Sequence, residues 1–174
     1  RVEAQCALDA TDFASVPAEN GMLLAVDRVN RTVKFPTTAN VAKMPVALNY
    51  TTEHMYDERA NALKDFKLER GTFLPRLGFL SVGELFTSNC LAYDDKEFAA
   101  SGSGDTAKTA DEVFKAAFDA IADTKLYGGI CENGAIKVSA TKPTAGPVLL
   151  VVEQVVVAGG AGVVGTQLLA HGDE

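Results

Sequence analysis

The chain has 174 residues, 47% of them hydrophobic, with 16 basic against 23 acidic side chains and a formal net charge of -7. That length suits a single domain burying roughly two thirds of the surface its unfolded form would expose, and that apolar share excludes a disordered chain. An acidic chain without a basic stripe repels phosphate backbones, so nucleic acid is not an expected partner.

The clusters Arg28/Arg31/Lys34 and Lys64/Lys67/Arg70 are diluted by acids and apolar positions and read as solvated faces. Three cysteines, at 6, 90 and 131, lack the even count of a disulfide framework and the close pairing of a zinc site. They read as separate thiols. No basic-then-apolar leader precedes the body, and Arg1 at the first position reads as trimming or proteolytic processing. The longest apolar run, Pro147 to Gly165, is cut by Glu153, Gln154 and glycines, so no membrane span is expected. Asn30-Arg-Thr32 and Asn49-Tyr-Thr51 match a glycosylation acceptor by chance composition.

In chain order, residues 1–20 read as an extended N-terminal arm closed by the Asn20-Gly21 turn signal. Met22 to Val26 and Arg31 to Phe35 then form a hairpin around Asp27-Arg-Val-Asn30, with Val33 and Phe35 on the dry face. Thr37 to Asn40 is polar connection. Pro45 cannot donate to a ladder, which favours an edge position or a strand that begins at Val46, and the edge is the reading preferred. Ala62, Leu63 and Phe66 recur at helical spacing, so a helix over Glu58 to Lys67 competes with a charged edge strand.

The stretch Gly71 to Leu91 is the densest apolar pattern, divided by glycines at 71, 78 and 83, and it predicts strands over Leu77 to Val82 and Leu85 to Leu91. Thr109-Ala-Asp-Glu112 has the form of a capping box, and Val113, Phe114, Ala117, Phe118 and Ile121 follow as an apolar stripe. One amphipathic helix over about 110–123 follows from it. Tyr127-Gly-Gly129 ends that helical region, Cys131 to Gly134 turns the chain, and Ala135 to Ser139 alternates as a strand. Val148 to Val157 is β-branched almost throughout and reads as an interior strand, with Val163 to Leu169 returning antiparallel beside it. His171 opens a frayed polar tail. No internal repeat is evident in the sequence. The fold expected is mainly β, an antiparallel barrel or sandwich with that single helix and long loops.

Chemistry is thinly marked. Gly160-Ala-Gly162-Val-Val-Gly165 matches a dinucleotide fingerprint, but too few residues follow it for the helix and the ribose-binding acid that fingerprint needs. Gly102-Ser-Gly-Asp105 lacks the lysine and hydroxyl of a phosphate loop. The histidines are His54 and His171; Cys90 or Cys131 could pair with His54 in a thiol hydrolase, but nothing in the spacing asks for it, and Cys90 reads better as a small core residue. The carboxylate pairs Asp57/Glu58, Asp94/Asp95 and Asp111/Glu112 lie in polar surroundings, and a weak cation site around Asp94, Asp95 and Glu97 lacks calcium-loop spacing. With no tryptophan, the flat aromatics of a carbohydrate site are few. No catalytic, cofactor or metal residues are assigned.

The run Leu74-Pro-Arg-Leu-Gly-Phe-Leu-Ser-Val-Gly-Glu-Leu-Phe-Thr-Ser-Asn89, with Gly134-Ala-Ile-Lys-Val-Ser139 and Val148-Leu-Leu-Val-Val-Glu153 after it, resembles small structural proteins of tailed bacteriophages. In particular it is similar to head decoration proteins that stabilise the capsid. Their segment Val-Gly-Asp-x-Phe-Thr-Thr-Asn leads into a β domain; here Glu84 stands for the aspartate and Ser88 for the second threonine. The resemblance covers Leu74 to Glu153. It implies a virion protein on the exterior of the phage head, a homo-oligomer bound to the major capsid protein, with no enzyme activity and no cofactor. Three alternatives stand beside it: a tail-tube or head-completion component, a secreted or surface β module binding a glycan or protein, and a hydrolase using Cys90 or a carboxylate with His54.

Overall fold

The structure, a computed structural model, describes residues 2–51, 66–88, 90–93, 112, 113, 116, 127–139, 141, 149–157 and 163–171. The fold is mainly β, with short strands gathered into two six-stranded sheets. Where the sequence reads as one domain, the chain divides into two compact units. The first comprises Arg1–Leu80 and the turn Glu132–Ala135, the second Ser81–Cys131 and Ile136–Glu174.

In the first unit the strands are β1 (Val2–Glu3), β2 (Ala7–Leu8), β3 (Leu23–Asp27), β4 (Thr32–Lys34), β5 (Val46–Asn49) and β6 (Leu77–Gly78), with one helical turn, α1 (Thr38–Val41), between β4 and β5. Their order across the sheet is β1-β6-β5-β3-β4-β2. In the second unit they are β7 (Leu85–Ser88), β8 (Leu91–Tyr93), β9 (Tyr127–Ile130), β10 (Ile136–Ser139), β11 (Leu149–Val157) and β12 (Val163–His171), in the order β7-β12-β11-β9-β10-β8. Adding six to each label of the first sheet yields the second. The sense of pairing matches as well: every neighbouring pair is antiparallel except β2 with β4 and β8 with β10, which are parallel.

The repeat that the sequence conceals is therefore plain in the topology. With the architecture known, small echoes line up. Asn30-Arg31 and Asn133-Gly134 close the two central hairpins, each with its second residue at positive φ, 54° and 84°. Pro45-Val-Ala-Leu48 and Pro147-Val-Leu-Leu150 stand at the start of the corresponding strands β5 and β11.

Each sheet is mixed, and among the described residues neither closes into a barrel. Both nevertheless curl. Edge strands of a flat six-stranded sheet lie about 24 Å apart, five spacings of about 4.8 Å. Yet β7 and β8, the two edges of the second sheet, are joined by residues 89 and 90 alone, and three Cα steps reach at most about 11 Å. One strand thus bends and changes edge, pairing antiparallel with β12 and then parallel with β10. The buried Ser88 braces that bend, its hydroxyl accepting from the Cys90 amide at 3.1 Å. In the first unit β1 and β2 form the same kind of bent strand around residues 4–6.

The core of the first unit is built from Cys6, Leu8, Phe13, Ala18, Leu24, Val26, Val33, Ala47, Leu68 and Leu77. Phe35 packs on it and meets Phe13 with ring centroids 4.6 Å apart. The expected arm at 1–20 is thus not extended. Its buried apolar residues at 6, 8, 13 and 18 draw it into the core, and Ala18 bridges Leu68 by amide bonds of 2.9 and 2.8 Å. All five residues of β3 are buried, as its central place requires. The Leu23 amide donates to the Gly134 carbonyl at 2.9 Å.

Other expectations are met or revised by particular residues. The hairpin β3–β4 forms as read, and Asp27 sets its turn by accepting from the amides of Val29 and Asn30. The strand after Pro45 does begin at Val46, but it is interior, because a proline just outside the ladder removes no bond from it. Thr37 caps α1, its hydroxyl accepting from the Asn40 amide, so the polar connection is a helical turn. The strand over Leu77 to Val82 shrinks to Leu77–Gly78, since Ser81 to Glu84 forms a turn. Tyr127 to Ile130 is a strand rather than a helix exit, paired on both sides. The long strands β11 and β12 pair antiparallel as expected, and His171 belongs to the second. Of the helix over about 110–123, Glu112, Val113 and Ala116 are described and helical; the rest lies outside the described residues. Most of the helix weighed over Glu58 to Lys67 also lies outside them, and Phe66 and Lys67 are not helical.

Candidate interaction surface

The motif that carries the phage resemblance, Val82 to Asn89, begins in a turn whose chemistry is now explicit. Gly83 adopts φ 90°, a left-handed conformation that a side chain disfavours. The Glu84 carboxylate accepts from the Ser81 amide at 2.7 Å, and the Glu84 amide donates back to the Ser81 carbonyl at 3.1 Å. An acid here and a hydroxyl at Ser88 are therefore the residues that shape the turn before β7 and the bend after it. The apolar members point the other way. Val82 is 72% exposed and Leu85 is 54% exposed, so the segment presents hydrocarbon to solvent at its start.

The first unit exposes hydrocarbon at Val2, Tyr50, Phe73, Leu74, Val16 and Val29. Val2 pairs with Gly78, and Tyr50 lies over that glycine, where a Cβ would come within 2.9 Å of the ring. A cavity of about 330 Å³ is lined by residues 13–17, Glu69 and Arg70. Charge is concentrated near β4: Lys34 Nζ lies 3.5 Å from Asp27 Oδ2 and 3.8 Å from Asp9 Oδ2. Asp27 also accepts from the side-chain amide of Asn30 at 2.8 Å. The Asn30 backbone and side-chain amides, with help from Lys34 and Val29, hold the Asp27 carboxyl below its ordinary value. Arg28 lies 5.1 Å over the Phe79 ring.

Among the described residues, those weighed for chemistry do not gather. Cys90 is buried beside the strand bend, and His54 lies outside the described residues, as do Asp57, Glu58, Asp94, Asp95, Glu97, Asp111 and the Gly102 to Asp105 segment. Cys6 is buried and Cys131 half-buried, and burial pushes both thiols up, away from the thiolate a nucleophile needs. Gly165 sits within β12 opposite Val156, so the match runs into a strand and not into the helix that a dinucleotide fingerprint needs. Among the described residues no cluster of three metal-binding side chains occurs, and no helix is long and apolar enough to cross a membrane.

Asn49, one of the two glycosylation matches, is buried. Its side-chain amide donates to the Glu19 carbonyl at 2.9 Å, its oxygen accepts from Thr51 Oγ1 at 2.6 Å, and Thr51 in turn accepts from the Arg76 amide at 3.0 Å. Sequence reasoning missed this polar lock because Asn-x-Thr reads as an exposed motif. It also missed the outward placement of Val82 and Leu85, since apolar residues in a strand pattern are assigned to the core by default.

No family model, curated protein or solved structure matches the chain.

Proposed function

We propose that the chain is a virion structural protein, bound as a decoration protein to the exterior of a tailed-phage head and there stabilising the shell. The observation that carries this reading is the segment from Val82 to Ser88: Glu84 and Ser88 bond the backbone at its two ends, and its Val82 and Leu85 side chains stand in solvent. Exposed aliphatic groups on a sheet edge are suited to being covered by a neighbour. The partner on this reading is the major capsid protein, and the chain works as an oligomer that repeats each modest contact. A stable contact of this kind covers about 1,200–2,000 Å².

The test is heat release of the genome from particles assembled with and without the chain. Particles lacking it should open at a lower temperature, and adding the purified chain back should restore the original one. Equal opening temperatures would contradict the proposal.

A further inference from the structure

The tripeptide Glu-Asn-Gly occurs twice, at 19–21 and at 132–134. Asparagine followed by glycine is prone to lose its side-chain amide, because a glycine nitrogen carries no side chain beside it to hinder approach to the asparagine Cγ. With the preceding and following residues identical, the folded surroundings separate the two sites.

At the first site both nitrogens that the reaction must free are tied. Half-buried Asn20 donates from its side-chain amide to the Thr51 carbonyl at 2.9 Å, and the Gly21 amide donates to the Asn49 carbonyl at 2.8 Å. Asn49 and Thr51 are themselves buried.

The second site is open where the first is closed. Asn133 is exposed, and among the described residues neither its side-chain nitrogen nor the Gly134 amide donates to an acceptor. Proton loss from the Gly134 nitrogen, the event that starts the reaction, therefore breaks no hydrogen bond. Asn133 Oδ1 accepts from the Ala135 amide at 3.1 Å. That bond folds the side chain back toward the peptide between Asn133 and Gly134, and it draws electron density from Cγ, as a donor aimed at a developing oxyanion does.

We infer that Asn133 is a deamidation and isomerisation site of the folded chain, and that Asn20 is protected. The Gly134 nitrogen, its proton lost to hydroxide, bonds to Asn133 Cγ; the bond from Cγ to Nδ2 breaks, and ammonia leaves with a proton from water, closing a succinimide. Water then opens that ring at either carbonyl, giving aspartate or an isoaspartate whose main chain runs through Cβ and Cγ. Either product adds a negative charge beside Glu132. The isoaspartate also lengthens the turn whose Gly134 carbonyl receives the Leu23 amide at 2.9 Å, so ageing at this residue loosens a bond to the buried strand β3. This chemistry is independent of what the chain binds.

The test is incubation of the full chain in warm, mildly alkaline buffer, followed by peptide mass mapping and enzymatic methyl labelling of isoaspartate. In the folded chain the peptide carrying Asn20 should convert on the order of tenfold more slowly than the one carrying Asn133, since two hydrogen bonds must open first. In urea the two rates should become equal, and Asn133→Gln should remove the fast labelling from the folded chain. The isoaspartate form purified from the aged chain should unfold at a lower denaturant concentration than Asn133→Asp, which carries the same charge on an ordinary backbone. Conversion of Asn20 as fast as that of Asn133 in the folded chain, no conversion of Asn133 there, or a rate difference that persists in urea overturns the assignment. An isoaspartate form as stable as Asn133→Asp overturns the effect on the turn.

Discussion

Leu23 and Gly134 are joined backbone to backbone, the Leu23 amide donating to the Gly134 carbonyl at 2.9 Å. Gly134 makes this approach at φ 84°, and a Cβ added there would lie 3.2 Å from the Leu23 carbonyl oxygen and 3.3 Å from Leu24 Cδ2. Two costs therefore coincide at one position. Gly134→Ala should lower the stability of the chain by about 1–2 kcal/mol from the left-handed backbone, and further from crowding against atoms of a buried strand. Gly83 has φ 90° with nothing within 4 Å of the added atom, so Gly83→Ala should show the backbone cost alone. Denaturant unfolding of the two variants should rank Gly134→Ala as the more damaging; equal losses would remove the close approach from the account.

Asp27 anchors the turn of the central hairpin as an ionised acceptor. Its folded carboxyl titrates below its unfolded value, chiefly because the Asn30 backbone and side-chain amides favour the charged form. Stability from this group is fully present above the ordinary carboxylate range, about pH 4, and is lost as pH falls through the lower folded value. Asp27→Asn should accordingly be less stable than the parent at neutral pH, and its thermal midpoint should fall less than the parent's between about pH 6 and pH 3. Parallel pH profiles for the two proteins would show that Asp27 does not titrate as described.

Asn49 is fixed by bonds to the Glu19 carbonyl and Thr51 Oγ1 within a buried setting. Truncation leaves both partners short of a bond where water does not easily reach. Asn49→Ala should cost about 1–3 kcal/mol, read by denaturant unfolding. Expression in a glycosylating host should leave Asn49 unmodified on the folded chain, as judged by intact mass; a glycan there would contradict the buried placement.

What could be read from the residues was local. The Asp27 to Asn30 turn, the strand beginning at Val46 and the paired β11 and β12 follow from turn chemistry, proline and β-branching, each decided within a few residues. What stayed hidden depends on distant partners. Residues 1–20 look like an arm because their apolar positions are sparse, yet Cys6, Leu8, Phe13 and Ala18 fall where a curled sheet needs filling. Tyr127-Gly-Gly-Ile130 has too little side chain to announce a strand, and only flanking ladders on both sides make it one. The duplicated topology escaped notice because hydrogen-bond order is carried by backbone, which many unrelated side chains can support. The outward Val82 and Leu85 were hidden for the opposite reason, since their residue types indicate burial while the turn at Gly83 directs them to solvent.

The most direct test of the central claim, that a twice-built curled β unit grips a viral shell from outside, is an electron cryo-microscopy map of the purified particle. The account expects regularly repeated density on the outer surface of the shell, each copy resolving into two six-stranded units. A bare shell, or density for this chain confined to the tail or the interior, would contradict it.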